Sequence, residues 1–82
     1  MKRLVMISID GCKICNKYRP IAKQNCDVKG IDFVEYNAAD PKSESYDIEG
    51  IPMFILEVNG VVEGGEAGES GLINLGIIPP KW

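Results

Sequence analysis

A strand pattern, a helix pattern and a second strand pattern follow one another within the first 37 residues. Residues 3–9 form an apolar, β-branched run that predicts a buried strand. Asp10-Gly11 ends that strand, and residues 13–25 space their apolar side chains along one helical face. Residues 31–37 predict the second strand. Because a helix connects the two strands, we expect them to be parallel, with a right-handed crossover.

The predicted helix has an apolar face with spacings of three and four residues: Ile14, Tyr18, Ile21 and Ala22. Pro20 lies inside this helix, where it removes one backbone donor and is expected to cause a kink. Lys29-Gly30 predicts the turn that follows.

The second half of the chain predicts a short helix near 42–47 and a third strand over 53–58. Asn59-Gly60 is the strongest short signal for a hairpin, so residues 61–63 should return beside the third strand. The glycine-rich residues 64–68 are expected to end that returning strand.

A last short helix is predicted over 71–75, with Ser70 as its cap and Gly76 as its end. The order is therefore β-α-β-α-β-β-α. It predicts an α/β fold with a mixed four-stranded sheet and helices on both faces. A chain of 82 residues suits one small domain, and we assign residues 1–82 to it.

Composition and charge exclude several classes of function. The net charge is −3, which gives no electrostatic footprint for nucleic acid, and the longest apolar run is too short to span a membrane. The charge is uneven, with a balance of +5 over residues 1–30 and −8 over residues 31–82. No convincing secretory signal is present at the N-terminus, so we expect a cytoplasmic protein.

The motif Cys12-Lys13-Ile14-Cys15 lies at the predicted junction of the first strand and the helix. Two intervening residues in a first helical turn bring two sulfurs close enough to bond. The free N–H groups and the positive end of the helix dipole favour a thiolate there, and Lys13 and Lys17 add positive charge. We therefore predict a redox-active disulfide in which Cys12 attacks and Cys15 resolves.

Other interpretations of the cysteines stay open. A structural zinc or iron–sulfur site needs four ligands, but the sequence has no histidine and only one further cysteine, Cys26, so we expect no metal. A purely structural disulfide would close too short a loop to stabilise the chain much. Cys26 lies eleven residues beyond Cys15, about 16 Å along a helix, and is expected to be a small buried residue.

The motifs as a set resemble the thioredoxin/glutaredoxin superfamily over roughly residues 3–75. Pro20 stands five residues after Cys15, where thioredoxins also carry a proline. Asp40-Pro41, Tyr46, Ile48 and Gly50-Ile51-Pro52 resemble the thioredoxin approach to its cis-proline. Gly68 follows eight residues after Asn59-Gly60, as in thioredoxins.

This resemblance implies a thioredoxin fold with a cis peptide bond at Ile51-Pro52, although a trans turn proline is the ordinary alternative. It also implies a substrate groove beside the dithiol. The residues expected to line that groove are Gly11, Lys13, Ile14, Ile51, Pro52, Ala67 and Gly68. In such a groove the backbone of Ile51 is free to pair with an extended substrate segment.

The sequence also departs from the family pattern. Thioredoxins carry Trp before the first cysteine and Gly-Pro between the two, and they bury an Asp in a strand near the resolving cysteine. Met6 occupies the corresponding place here. Glu35 or Asp10 could substitute for that acid, but we expect both to be solvated. The chain is also shorter than usual thioredoxins, because it lacks their first strand–helix pair.

By the same resemblance, the expected function is reduction of disulfides in client proteins, with ribonucleotide reductase as one plausible client. No bound cofactor is expected, because electrons would come from NADPH through a thioredoxin-type reductase, or from glutathione. Gly64-Gly65 weakly resembles the glutaredoxin turn that holds glutathione, whereas the acidic second half disfavours an anionic ligand. A glutathione-dependent glutaredoxin and a non-catalytic binding subunit are the alternatives. We expect a monomer.

Overall fold

The computed structural model describes residues 1–80 of the chain. The strands are β1 (Lys2–Ser8), β2 (Asp32–Asn37), β3 (Met53–Val58) and β4 (Val61–Ala67), and the α-helices are α1 (Lys13–Lys29) and α2 (Gly68–Asn74). A 3₁₀ helix spans Pro41–Ser45. The strands form one mixed sheet in the order β2-β1-β3-β4. β1 runs parallel to β2, and β4 is antiparallel to β3, as expected. β1 is also antiparallel to β3.

The core divides into two clusters, one on each face of the sheet. The first joins the sheet to both α-helices, and its buried members are Leu4, Met6, Cys15, Ala22, Cys26, Phe54, Leu72 and Ile77. The second lies on the opposite face and contains Val5, Ile7, Met53 and Ile55, with Ala38 and Tyr46 packed against it. Helical segments therefore lie on both faces, but α1 and α2 share one of them and only the 3₁₀ segment adjoins the other.

Helix α1 differs in two respects from the sequence prediction. Its buried face is formed by Cys15, Ala22 and Cys26, and Ile14 is 55% exposed, so the expected inward position of Ile14 is wrong. Cys15 takes the inward position at the start of the helix, which turns its neighbour Ile14 outward. The helix also continues through Pro20 and ends only at Gly30, whose left-handed backbone forms the C-cap.

The glycine-rich end of the hairpin does not terminate β4 as expected. The strand continues through Gly64 and Gly65 to Ala67. An added Cβ at Gly65 would lie 3.1 Å from Met53 Cε, and one at Gly64 would lie 3.2 Å from Leu75 Cδ2. The two glycines therefore allow neighbouring side chains to pack close to the strand.

Helix α2 begins earlier than predicted. Ala67 is its N-cap and makes no side-chain capping bond, whereas Ser70 lies inside the helix and its hydroxyl donates to the Ala67 carbonyl at 3.2 Å. The expected Ser70 cap is therefore wrong. The Asn59-Gly60 turn is confirmed, because both residues have positive φ, at 53° and 83°.

Candidate functional site: a dithiol at one end of the sheet

Cys12 and Cys15 form a disulfide at the start of α1, with their Cα atoms 5.2 Å apart. Cys12 is the N-cap residue, and its Sγ accepts the Cys15 N–H at 3.1 Å. Its carbonyl accepts the N–H of Asn16, also at 3.1 Å. Cys12 is half-buried and Cys15 is fully buried. The outer sulfur therefore lies where free helical N–H groups favour a thiolate.

The strand register brings the other predicted site residues to the same end of the sheet. β1 enters the loop to Cys12 directly after Ser8, and Ile7 pairs with Met53, the first residue of β3. Met53 in turn pairs with Ala67, the last residue of β4. Cys12 and Ile51 both pack against the core cluster that contains Cys15.

The Ile51–Pro52 peptide bond is cis, as the resemblance implied, so the alternative of a trans turn proline is wrong. Pro52 is buried, and its carbonyl accepts the N–H of Gly68 at 2.8 Å. Ala67 and Ile51 pack against the same cluster on the second face. Ile51, Ala67 and Gly68 are thus half-buried around the buried Pro52, beside the start of α2.

The remaining predicted groove residues lie on the outside of the dithiol. Gly11, Lys13 and Ile14 are all exposed, and Gly11 has a φ of +74°, a value that side-chain-bearing residues rarely adopt. Ile14 is the apolar side chain directly beside the disulfide. It leaves an apolar side chain exposed in the residue next to Cys15.

Comparison with solved structures gives strong similarities to thioredoxins. The oxidised thioredoxin of Plasmodium falciparum is 19% identical, with a TM-score of 0.74 over 90% of this chain and 76% of that one. A mutant thioredoxin of Halobacterium salinarum is 18% identical, with a TM-score of 0.76 over 90% and 70% of the two chains. The chain has the thioredoxin fold.

A third similar structure, thioredoxin 1 of Thermosipho africanus, is 17% identical, with a TM-score of 0.74 over 88% of this chain and 86% of that one. No protein-family model matches the sequence, and no curated protein matches it significantly. The three-dimensional comparison therefore identifies a fold that this chain shares with proteins of very different sequence.

Glu35 departs from the expectation that it is solvated. Glu35 lies on β2 beside Met6 of the adjacent strand β1. Its carboxylate accepts from Arg19 Nε at 2.7 Å and from the Ser8 hydroxyl at 2.6 Å. The Arg19 hydrogen bond holds the pKa of Glu35 below its usual value and Ser8 adds to this, whereas partial burial opposes it. Asp10 is exposed and accepts from Asn37 Nδ2 at 3.2 Å.

Arg19 is not among the site residues predicted from the sequence, because it belongs neither to the Cys12–Cys15 motif nor to the residues that carry the family resemblance. The four-residue spacing from Cys15 to Arg19 was a usable signal, since it places both on adjacent turns of one side of a helix. Its partner on β2 depends on strand register, which the sequence pattern does not determine.

Cys26 is buried in the first core cluster and lies outside the dithiol, as expected. Burial raises the pKa of its thiol to about 11, although Lys29 opposes the effect. Among residues 1–80, no three potential His, Cys, Asp or Glu ligands gather in a way that could hold a metal ion. Over the same residues, no helix is long and apolar enough to cross a membrane.

Proposed function

We propose that this protein is a thiol–disulfide oxidoreductase that reduces disulfides in other proteins. The observation that carries the proposal is the disulfide between half-buried Cys12, at the helix start, and fully buried Cys15. This asymmetry suits one sulfur that meets the substrate and one that acts from inside.

The reaction consists of two exchanges. The thiolate of Cys12 attacks one sulfur of the client disulfide, so that a bond from Cys12 to the client forms and the client disulfide breaks. The released client thiolate takes up a proton. Cys15 then gives up its proton and attacks Cys12 Sγ, which re-forms the Cys12–Cys15 disulfide and releases the second client thiol. Two electrons pass from the protein to the client.

The loop and helix around the dithiol support the binding of an extended client segment. Ile14, Ile51 and Ala67 offer apolar contacts, while Gly11 and Gly68 present no side chain. In the same proposal Lys13 lies beside the attacking sulfur, and Pro52 closes the floor of the groove. The clients are disulfide-containing proteins, with ribonucleotide reductase proposed only on the family resemblance, and the protein is proposed to act as a cytoplasmic monomer.

To return Cys12–Cys15 to the dithiol, we propose that electrons come from NADPH through a thioredoxin-type reductase. Glutathione has two carboxylates and one ammonium, so its site needs several fixed cationic donors. The acidic side chains at the end of β4 and the start of α2, Glu66 and Glu69, instead place negative charge beside Gly68, at the end of the sheet that carries the dithiol. Reduction of the disulfide form should therefore be fast with reductase and NADPH and slow with millimolar glutathione. The reverse result would assign the protein to glutathione-dependent chemistry.

The function is tested by turnover of an insulin disulfide with each electron source supplied separately. Cys12→Ser and Cys15→Ser should both abolish turnover, because each removes one sulfur of the dithiol. Cys26→Ser is the matched control and should retain it, since that thiol is buried away from the site. Full biological activity in a Cys12→Ser/Cys15→Ser double variant would contradict the proposal and favour a non-catalytic binding subunit.

A further inference from the structure

Four polar side chains form a hydrogen-bond network between β1, β2 and α1. Arg19 donates from Nε to Glu35 Oε1 at 2.7 Å and from Nη2 to Glu35 Oε2 at 2.8 Å. Its Nη1 donates to Asn16 Oδ1 at 2.8 Å. The hydroxyl of Ser8 donates to Glu35 Oε2 at 2.6 Å. The carboxylate is thus held at both oxygens, which is the fixed two-point geometry of an arginine–carboxylate pair.

This network is connected to the dithiol. Arg19 lies four residues after Cys15 on α1, a spacing that places two side chains on adjacent turns of one helical face. Asn16, which accepts from Arg19, donates its backbone N–H to the Cys12 carbonyl at 3.1 Å. Glu35 lies across from this first part of the helix and holds it to the sheet.

Both charges of the pair are partly shielded from water. The Arg19 side chain is 35% exposed and the Glu35 side chain is 27% exposed. Glu35 is ionised at neutral pH, because its hydrogen bonds from Arg19 and Ser8 outweigh the effect of its burial on the pKa. A fixed positive and a fixed negative charge therefore offset each other close to the dithiol.

We propose that the balance of charge in the Arg19–Glu35 ion pair holds the reduction potential of the Cys12–Cys15 dithiol at a value that either charge alone would shift, because the two effects on the Cys12 thiolate cancel. The inference rests on the proposed function, because it assumes that the dithiol and the disulfide interconvert. The disulfide is neutral and the reduced form carries the thiolate, so a nearby unbalanced charge changes the free energy of only one of the two forms.

Removal of one charge or of the other should change the pKa of Cys12 in opposite directions. Glu35→Gln leaves the Arg19 charge unbalanced, which stabilises the thiolate, lowers the pKa of Cys12 and makes the disulfide easier to reduce. Arg19→Gln leaves the Glu35 carboxylate unbalanced, which raises the pKa of Cys12 and makes the disulfide harder to reduce. If the pair only held α1 in place, both variants would break the same contact and shift the reduction potential of the dithiol in the same direction.

The other charged groups near the dithiol stay constant through these substitutions. Lys13 and Lys17 are exposed on α1, and Asp10 is exposed in the preceding loop. Glu69 of α2 accepts from the Tyr18 hydroxyl of α1 at 2.9 Å. None of them bonds to Arg19 or Glu35 in the network above, so the two substitutions change one charge each.

The experiment measures the equilibrium between each purified full-length protein and glutathione at pH 8, with acid quenching and separation of the dithiol and disulfide forms. One glutathione disulfide oxidises one dithiol and yields two glutathione molecules, so the equilibrium constant reports the reduction potential directly. We expect Glu35→Gln and Arg19→Gln to change this constant in opposite directions, each by about threefold or more. Alkylation rates of Cys12 against pH should show the matching opposite changes in its pKa.

The chain provides a matched control pair. Arg3 and Glu57 form a second arginine–glutamate ion pair, between β1 and β3 at the end of the sheet away from the dithiol. Arg3→Gln and Glu57→Gln should leave the constant unchanged. Arg19→Lys keeps the charge but loses the two-point contact, so it should retain the wild-type constant, and the Arg19→Gln/Glu35→Gln double variant should return close to it.

If the equilibrium constants of the two single variants shift in the same direction, or if neither shifts, the inference is overturned while the proposed function stays intact. An Arg19→Lys protein that behaves like Arg19→Gln would also overturn it, because contact and not charge would then matter. A wild-type Cys12–Cys15 pair that neither dithiothreitol nor glutathione converts between disulfide and dithiol would contradict both the inference and the proposed function.

Discussion

Cys26 lies in surroundings opposite to those of Cys12. It is buried in the core cluster beneath α1, far from the helix start that favours a thiolate. Burial raises the pKa of its thiol to about 11. In the unfolded chain the same thiol is exposed to water and ionises at its ordinary pKa, so the two states bind protons differently over the interval between these values.

This difference predicts a loss of stability at alkaline pH. Above the ordinary thiol pKa the unfolded state loses the Cys26 proton while the folded state keeps it, so unfolding becomes more favourable until the pH passes about 11. Between pH 8 and pH 10.5, the free energy of unfolding of the oxidised protein should fall by about 2 kcal/mol more in wild type than in Cys26→Ala. Urea unfolding followed by circular dichroism measures both. If the free energy of unfolding falls equally with pH in wild type and in Cys26→Ala, then Cys26 ionises equally in the folded and unfolded states.

At the scale of elements, the junction of β4 and α2 depends on the absence of a side chain at Gly71. A Cβ at this buried position would collide with the Glu66 carbonyl. That carbonyl belongs to the backbone of β4, so it cannot move aside as the end of a flexible side chain would. Gly71 thus permits α2 to pack directly over the end of the strand that precedes it.

Gly71→Ala should therefore destabilise the protein by about 2 kcal/mol or more, as overpacked sites do. An exposed helical glycine would show the opposite sign, since alanine is the better helix former by about 1 kcal/mol. Ser70→Ala, on the exposed neighbouring position of the same helix, is the control and should change stability by much less. Thermal unfolding of the three proteins decides the point, and a Gly71→Ala protein as stable as wild type would refute the packing argument.

The same junction shows what the sequence pattern can and cannot predict. Apolar runs and the Asn59-Gly60 turn identify each strand and the hairpin, because those signals are local. The prediction that Gly64 and Gly65 end β4 is wrong, since their role depends on Met53 and Leu75, which approach from other elements. For the site, Cys12, Cys15 and Pro52 are recognisable from motif and resemblance. The Arg19–Glu35 pair is not, because it requires the register of β2 against β1.

Across the whole molecule, one sheet joins the two core clusters. Adjacent residues of β1 face opposite sides, with Met6 in one cluster and Ile7 in the other. β3 does the same with Phe54 and Ile55. Neither cluster can therefore lose these central strands without exposing the other.

We accordingly predict that the oxidised protein unfolds in a single cooperative transition. Far-ultraviolet circular dichroism should report the loss of secondary structure. Near-ultraviolet signals should report Tyr18 at one cluster and Tyr36 and Tyr46 at the other. The thermal midpoints should coincide, and the calorimetric and van't Hoff enthalpies should agree. Two separated transitions would contradict the assignment of the chain to one domain.

In the proposed reaction Cys12 is the attacking sulfur and Cys15 the resolving one. The most direct test is mass spectrometry of the reduced Cys15→Ser protein after incubation with a disulfide-containing peptide. Attack should still occur in this variant while resolution is lost. We predict a stable mixed disulfide that maps to Cys12, with Cys26 unmodified in the folded protein. No adduct at Cys12, or an adduct found only at Cys26, would contradict the account.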